Sequence, residues 1–226
     1  MNHCNIAGEN LIRIYEANVR ALDDISLSIP CGKITVILGP SGSGKTTLLN
    51  ILALLDRPDS GEVFLNGKAS SSFSEKEKAQ IRNRMFGFIF QFFHLIPELT
   101  VEENVMVPMM IRQPDLPFSG YREKARRLLD EFSILNKAGN YPNQLSGGEK
   151  QRVAICRSLA GEPDIIFADE PTGNLDKNAG AELISLIAFL NREKGKTFII
   201  ATHNENFLKI AANVIYLSNG KIIHRE

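Results

Sequence analysis

One stretch of the sequence has residue types and spacing suited to chemistry on phosphates. Gly39-Pro40-Ser41-Gly42-Ser43-Gly44-Lys45-Thr46 fits the pattern G-x-x-x-x-G-K-[ST]. A short β-branched run, residues 33–38, precedes it, and an apolar helix-like segment, residues 45–55, follows it. In that strand–loop–helix setting the glycines let successive backbone N–H groups point into one concavity, and the helix N-terminus adds its positive dipole end. Such a loop is built for β- and γ-phosphates. Lys45 would neutralise phosphate charge and Thr46 would ligate Mg²⁺.

Two further constellations carry chemistry. Ile165-Ile166-Phe167-Ala168-Asp169-Glu170 is an apolar strand ending in two carboxylates, where an open α/β sheet presents ligand-facing groups. Asp169 would hold Mg²⁺, directly or through water, and Glu170 would polarise an attacking water as general base. Taken alone the pair is weak, because acidic residues follow strands in many proteins for solubility. Leu145-Ser146-Gly147-Gly148-Glu149 precedes an apolar helical run; Ser146 with Glu149 three residues later reads as a capping box. The same bare helix N-terminus is also a second anion site. One chain does not need two such sites for one triphosphate; two chains would.

The elements that position these groups follow from periodicity. Residues 11–15 and 21–29 alternate like strands, and Asn66-Gly67 after residues 63–65 signals a hairpin turn, so the first third is partly antiparallel. Ser74 with Glu77, and Thr100 with Glu103, repeat the capping-box signature ahead of helices over 74–84 and 104–111, and an amphipathic helix is expected over 121–134. The middle third is mostly helical. Strands at 165–168, 197–201 and 214–217 then alternate with helices at 179–193 and 205–212, the second opened by a Thr202/Glu205 box, and this implies a mainly parallel sheet.

Length and composition bound the rest. The chain has 226 residues, room for one α/β unit with a small subdomain, and 26 basic residues balance 26 acidic ones, so no basic surplus points to nucleic acid. No apolar run approaches the roughly 18–20 residues of a membrane-spanning helix, and residues 1–10 lack a secretory pattern, so a cytoplasmic location is expected. Cys4, Cys31 and Cys156 are odd in number, far apart and without metal-ligand spacing; they read as plain thiols.

Taken together, the three constellations in this order resemble the nucleotide-binding subunit of an ATP-binding cassette (ABC) transporter, over nearly the whole chain. The resemblance implies an α/β fold: a P-loop NTPase (RecA-like) core with an N-terminal antiparallel β subdomain, residues 1–91 and 162–226, and a helical subdomain, residues 92–161, that carries the LSGGE signature. It implies an ATPase using ATP and Mg²⁺. Tyr15 stands where the family stacks an aromatic on adenine; on its own it reads as a core aromatic on a strand. Gln91 takes the place of the glutamine that touches Mg²⁺ and water. Asn174-Leu175-Asp176 resembles the loop whose aspartate crosses the dimer interface, and His203 resembles the switch histidine at the γ-phosphate. Two copies would pack head to tail. Gly39, Pro40, Ser41, Gly42, Ser43, Gly44, Lys45, Thr46 and Thr47 of one, with Ser146, Gly147 and Gly148 of the other, would sandwich each ATP. In this homodimer Glu170, His203 and Gln91 would serve catalysis, and Thr46, Gln91 and Asp169 the metal.

Residues 90–108, with Asp169-Glu170-Pro171-Thr172-Gly173-Asn174-Leu175-Asp176, are similar to the subgroup of lipoprotein-releasing (LolD), macrolide-exporting (MacB) and cell-division (FtsE) ATPases, the lipoprotein-releasing pattern most of all. This implies a peripheral protein on the cytoplasmic face of the inner membrane, working with two integral permease subunits of the LolC/LolE kind and releasing lipoproteins. The alternatives are an exporter or division ATPase, and more remotely a soluble ABC ATPase. The family's usual acidic residue after the switch histidine is here Asn204, and the usual glycine between Tyr15 and Leu22 is missing.

Overall fold

The computed structural model describes residues 5–15 and 19–225. Its centre is a six-stranded sheet in the order β10-β9-β3-β8-β7-β6. The strands are β3 (Ile34–Leu38), β6 (Phe86–Phe90), β7 (Ile165–Asp169), β8 (Thr197–Thr202), β9 (Asn213–Ser218) and β10 (Lys221–Arg225). All adjacent pairs are parallel except the edge pair β9–β10.

The inner strands are covered on both faces, which is why they read as continuous apolar runs. Alternation survives in the packing. Ile34, Val36, Leu38, Ile166, Ala168, Phe198 and Ile200 face one core, while Ile37, Ile165, Phe167, Ile199 and Ala201 face the other. The first core is closed by α3 (Val101–Arg112), α4 (Phe118–Glu131), α5 (Gly147–Leu159) and α6 (Lys177–Lys194). The second is closed by α1 (Lys45–Leu52) and by an antiparallel sheet, β2-β1-β4-β5. That sheet comprises β1 (Ile6–Tyr15), β2 (Val19–Ile29), β4 (Ser60–Leu65) and β5 (Lys68–Ala69); Asn66 and Gly67 both take positive φ at the expected β4–β5 turn.

Local signals formed as read. Ser74/Glu77 caps α2 (Glu75–Met85), Thr100/Glu103 caps α3, and Ser146/Glu149 caps α5, each as a complete capping box. Two expectations are corrected. The helix over 205–212 is only a 3-10 turn, Glu205–Lys209, because Ala212 N–H donates to the Ile34 carbonyl at 2.9 Å and draws the chain into β9. Cys31 is not a plain thiol but disulfide-bonded. Cys4 lies outside the described residues, and Cys156 is free, buried and has its thiol pushed up by burial.

The loop before α3 hangs on one side chain. Asn104 is fully buried; its amide N–H groups donate to the carbonyls of Ile96, Leu99 and Thr100 at 3.0, 3.0 and 2.9 Å, and its Oδ1 accepts Ile96 N–H at 2.8 Å. Removing it leaves several part-buried backbone groups without this partner at once. Asn104→Ala is therefore expected to cost about 2–4 kcal/mol, read as a lower urea midpoint at unchanged m-value.

Candidate active site

The strand register assembles the site. Leu38 lies opposite Thr202, Asp169 opposite Ala201, and Phe90 opposite Asp169, so the residues that follow β3, β6, β7 and β8 leave the sheet along one carboxyl edge. These are the phosphate loop, Gln91, Glu170 and His203.

The phosphate loop is shaped by close approach. A Cβ on Gly39 would sit 2.2 Å from the Leu217 carbonyl, and Gly44, at φ 102°, would put one 2.2 Å from the Ala21 carbonyl. Behind the loop, α1 starts at Gly44 with no side-chain cap, unlike α2, α3 and α5. Its first N–H groups are thus bare donors at the positive end of the helix dipole. Lys45 is 6% exposed, with Nζ donating to the Gly39 and Pro40 carbonyls at 2.8 and 2.9 Å. The Ser43 hydroxyl is buried with no partner among the described residues. A cradle of bare donors, a buried ammonium and an orphaned hydroxyl fits a polyphosphate.

Thr46 Oγ1 lies 3.0 Å from both oxygens of Asp169. Burial raises the Asp169 carboxyl above its ordinary value and the adjacent Glu170 charge adds to this, while the Thr46 hydroxyl and Lys45 pull the other way. A hydroxyl and a carboxylate whose charge costs energy to bury are donors that fit a divalent cation.

Glu170 has left-handed backbone, φ 42°, held by its N–H donating to the Ala201 carbonyl at 2.8 Å and its carbonyl accepting Gly173 N–H at 2.9 Å. For a non-glycine residue that conformation costs energy and persists only where surroundings over-determine it. It turns the carboxylate toward β8. Oε1 is 2.9 Å from His203 Nδ1 and 3.8 Å from Lys45 Nζ, and Oε2 accepts from Thr202 Oγ1 at 2.9 Å.

The structure places the remaining expected residues as follows. The Tyr15 ring is half-exposed beside the loop; its hydroxyl lies 3.5 Å from Thr47 Oγ1 and donates to Asp56 at 3.3 Å, and the Arg13 guanidinium covers it at 5.0 Å. Gln91 packs over Gly173, and its carbonyl accepts from Asn174 Nδ2 at 2.7 Å; among the described residues no hydrogen bond joins it to Thr46 or Asp169. Asp176 caps α6 by accepting Asn178 and Ala179 N–H at 2.9 and 3.0 Å. Ser146, Gly147 and Gly148 open α5, with Ser146 in its own capping box and Gly147 facing the Asn174 carbonyl rather than the phosphate loop. The expected Thr202/Glu205 box does not form; Asn204 caps that turn, accepting Asn206 N–H at 3.0 Å, and the Thr202 oxygen instead accepts Asn204 N–H at 3.0 Å. Sequence reasoning missed Thr202 as a site residue, although its position before His203 was a usable signal.

Comparison with known proteins gives this edge its context. The family model for ABC transporters matches residues 22–173. This chain belongs to the ABC transporter family. It is 49% identical over 221 residues to an uncharacterized ABC transporter ATP-binding protein, MJ1508, of Methanocaldococcus jannaschii, covering 96% of this chain and 97% of that one. It is 41% identical to the lipoprotein-releasing system ATP-binding protein LolD of Bordetella avium, covering 96% and 95%. The fold superposes on the dimeric ATP-binding cassette MJ0796, solved in a post-hydrolysis state bound to ADP and Pi, with TM-score 0.91 and 38% identity over 98% of this chain and 97% of that one. The protein is thus a transport-coupled ABC ATPase domain with the mixed α/β cassette fold, and no helix among the described residues is long and apolar enough to cross a membrane. For this cassette the Gly44 geometry predicts that Gly44→Ala lowers unfolding free energy by at least about 2 kcal/mol and weakens ATP binding, as read by urea titration and nucleotide-binding calorimetry.

Proposed function

We propose that this chain is the ATP-hydrolysing subunit of a lipoprotein-releasing transporter, acting as a homodimer on the cytoplasmic face of the inner membrane and driving two integral permease subunits. The observation that carries the catalytic part is the convergence of Lys45, Thr46, Asp169, Glu170 and His203 at one sheet edge. The lipoprotein part is supported by relatives named LolD at 40–41% identity.

In this reading residues 39–47 wrap the phosphates of ATP and Lys45 exchanges two backbone carbonyls for phosphate oxygens. Tyr15, fixed through Thr47, Asp56 and Arg13, offers its ring to adenine. Thr46, Asp169 and Gln91 would hold Mg²⁺, which when bound neutralises phosphate charge. Glu170 accepts a proton from the attacking water and His203 orients toward the γ-phosphate. Ser146, Gly147 and Gly148 face outward on an uncovered helix N-terminus, and the opposing copy's nucleotide would meet them there. ATP then closes the dimer and hydrolysis opens it.

The groove toward the permease lies between α2, α3 and the end of β6, about 420 Å³ in volume and lined by Phe90, His94, Pro108, Ile111 and Arg157 among others. Leu55 and Ile111 in this lining are exposed apolar side chains. Such a groove suits one apolar helix face. On its floor Arg157, at the far end of the signature helix α5, donates to the carbonyls of Phe93 and His94, both in left-handed backbone. Movement of a docked helix would therefore be transmitted along α5 to Ser146.

Glu170→Gln is expected to bind ATP, lose at least about 100-fold in turnover and accumulate as a dimer on gel filtration with ATP; multi-turnover hydrolysis near the wild-type rate overturns the general-base assignment. Ser146→Arg is expected to bind nucleotide as a monomer and neither dimerise nor hydrolyse. Capture of tagged Glu170→Gln with ATP from detergent-solubilised membranes tests the substrate. Two different permeases with large extracytoplasmic domains support lipoprotein release, and one homodimeric partner points instead to an exporter or division complex.

A further inference from the structure

We propose that Thr202 is a positioning residue for the Glu170 carboxylate, its hydroxyl fixing one carboxylate oxygen so that the other is aimed at the attacking water. The proposal rests on the reading of Glu170 as general base.

Thr202 ends β8 and is fully buried. Its Oγ1 stands 2.9 Å from Glu170 Oε2 and 3.0 Å from the backbone nitrogen of Asn204. A hydroxyl carries one proton and accepts on its lone pairs. The Asn204 N–H occupies a lone pair, so the single hydroxyl proton is directed onto Oε2. A hydrogen bond to an ionised acceptor is among the stronger neutral-donor contacts, and here it is shielded from water.

The partner that orients the hydroxyl is itself held. Asn204 Nδ2 donates to Thr172 Oγ1 at 3.1 Å, while its Oδ1 accepts Asn206 N–H at 3.0 Å. Asn204 thus donates on one side and accepts on the other, which holds its backbone N–H against the Thr202 oxygen. Thr172 lies two residues beyond Glu170, so the contacts close a ring: Glu170, Thr202, Asn204, Thr172 and back along the chain. The ring supports the left-handed backbone at Glu170, φ 42°. Oε1 is left to His203 Nδ1 at 2.9 Å and to the more distant Lys45 ammonium at 3.8 Å, partners that can yield to water and phosphate.

The test is steady-state ATPase kinetics on the full chain. Thr202→Val keeps the shape and removes the hydroxyl; kcat is expected to fall roughly ten- to hundredfold with KM for ATP changed less than about twofold. Thr202→Ser, which keeps the hydroxyl, is expected to recover kcat to within about threefold of wild type. Thr202→Ala, too small to overfill the site, serves if the valine variant does not fold, with ADP binding as the check on structure. Wild-type kcat in Thr202→Val or Thr202→Ala overturns the proposal, as does a serine variant no better than alanine. Glu170→Gln run alongside separates the two readings. If it is active, the general-base assignment fails; if it is dead while Thr202→Val is fully active, only the positioning role fails.

Discussion

The parallel register of four strands is the constraint on which the rest of the structure depends. Because Leu38, Thr202, Ala201, Asp169 and Phe90 are paired across β3, β8, β7 and β6, the residues after them emerge side by side without any of the loops having to search for its place. A one-residue slip would exchange the two faces of a strand. In β7 it would trade Phe167 and Ile165 for Ile166 and Ala168 between two cores of different shape, and move Asp169 away from Thr46. Packing on both faces therefore enforces the distances at the edge.

That edge concentrates charge in a place of limited solvent access. Lys45, Asp169 and Glu170 lie within one cluster, and each is compensated by short-range partners rather than by an ideal ion pair. Lys45 rests on two carbonyls, Asp169 on the Thr46 hydroxyl, and Glu170 on Thr202 and His203. Buried charge held by exchangeable neutral partners is less costly than unpaired charge. These partners are exchangeable: the Pro40 carbonyl, for one, also accepts Ser43 N–H at 3.3 Å and keeps that donor when Lys45 turns away.

What was legible in the sequence divides by range. Glycine types in the phosphate loop, the Asn66-Gly67 turn and the boxes at Ser74, Thr100 and Ser146 are local, set by spacings of a few residues, and each formed. The contacts that escaped notice join residues far apart. Thr202 meets Glu170 across 32 positions, Arg157 meets Phe93 across 64, and Asn174 meets Gln91 across 83. No spacing rule reaches so far; only the strand register does. The Thr202/Glu205 box failed for a local reason: the Thr202 oxygen accepts the Asn204 N–H, while its proton goes to the distant Glu170.

The proton inventory shows why that trade matters. An ionised Glu170 only accepts, so Thr202 must deliver its hydroxyl proton to Oε2 and His203 must present Nδ1–H to Oε1. With Nδ1 so committed, Nε2 of His203 is the other end of the ring, and the ring is mostly exposed. A neutral imidazole would offer Nε2 as an acceptor, whereas a phosphate oxygen needs a donor. The Glu170 contact thus leaves the second ring nitrogen as the end of His203 that can meet a ligand. The carboxylate and the histidine are thereby held as one hydrogen-bonded pair, and the buried threonine hydroxyl fixes the other oxygen of that carboxylate.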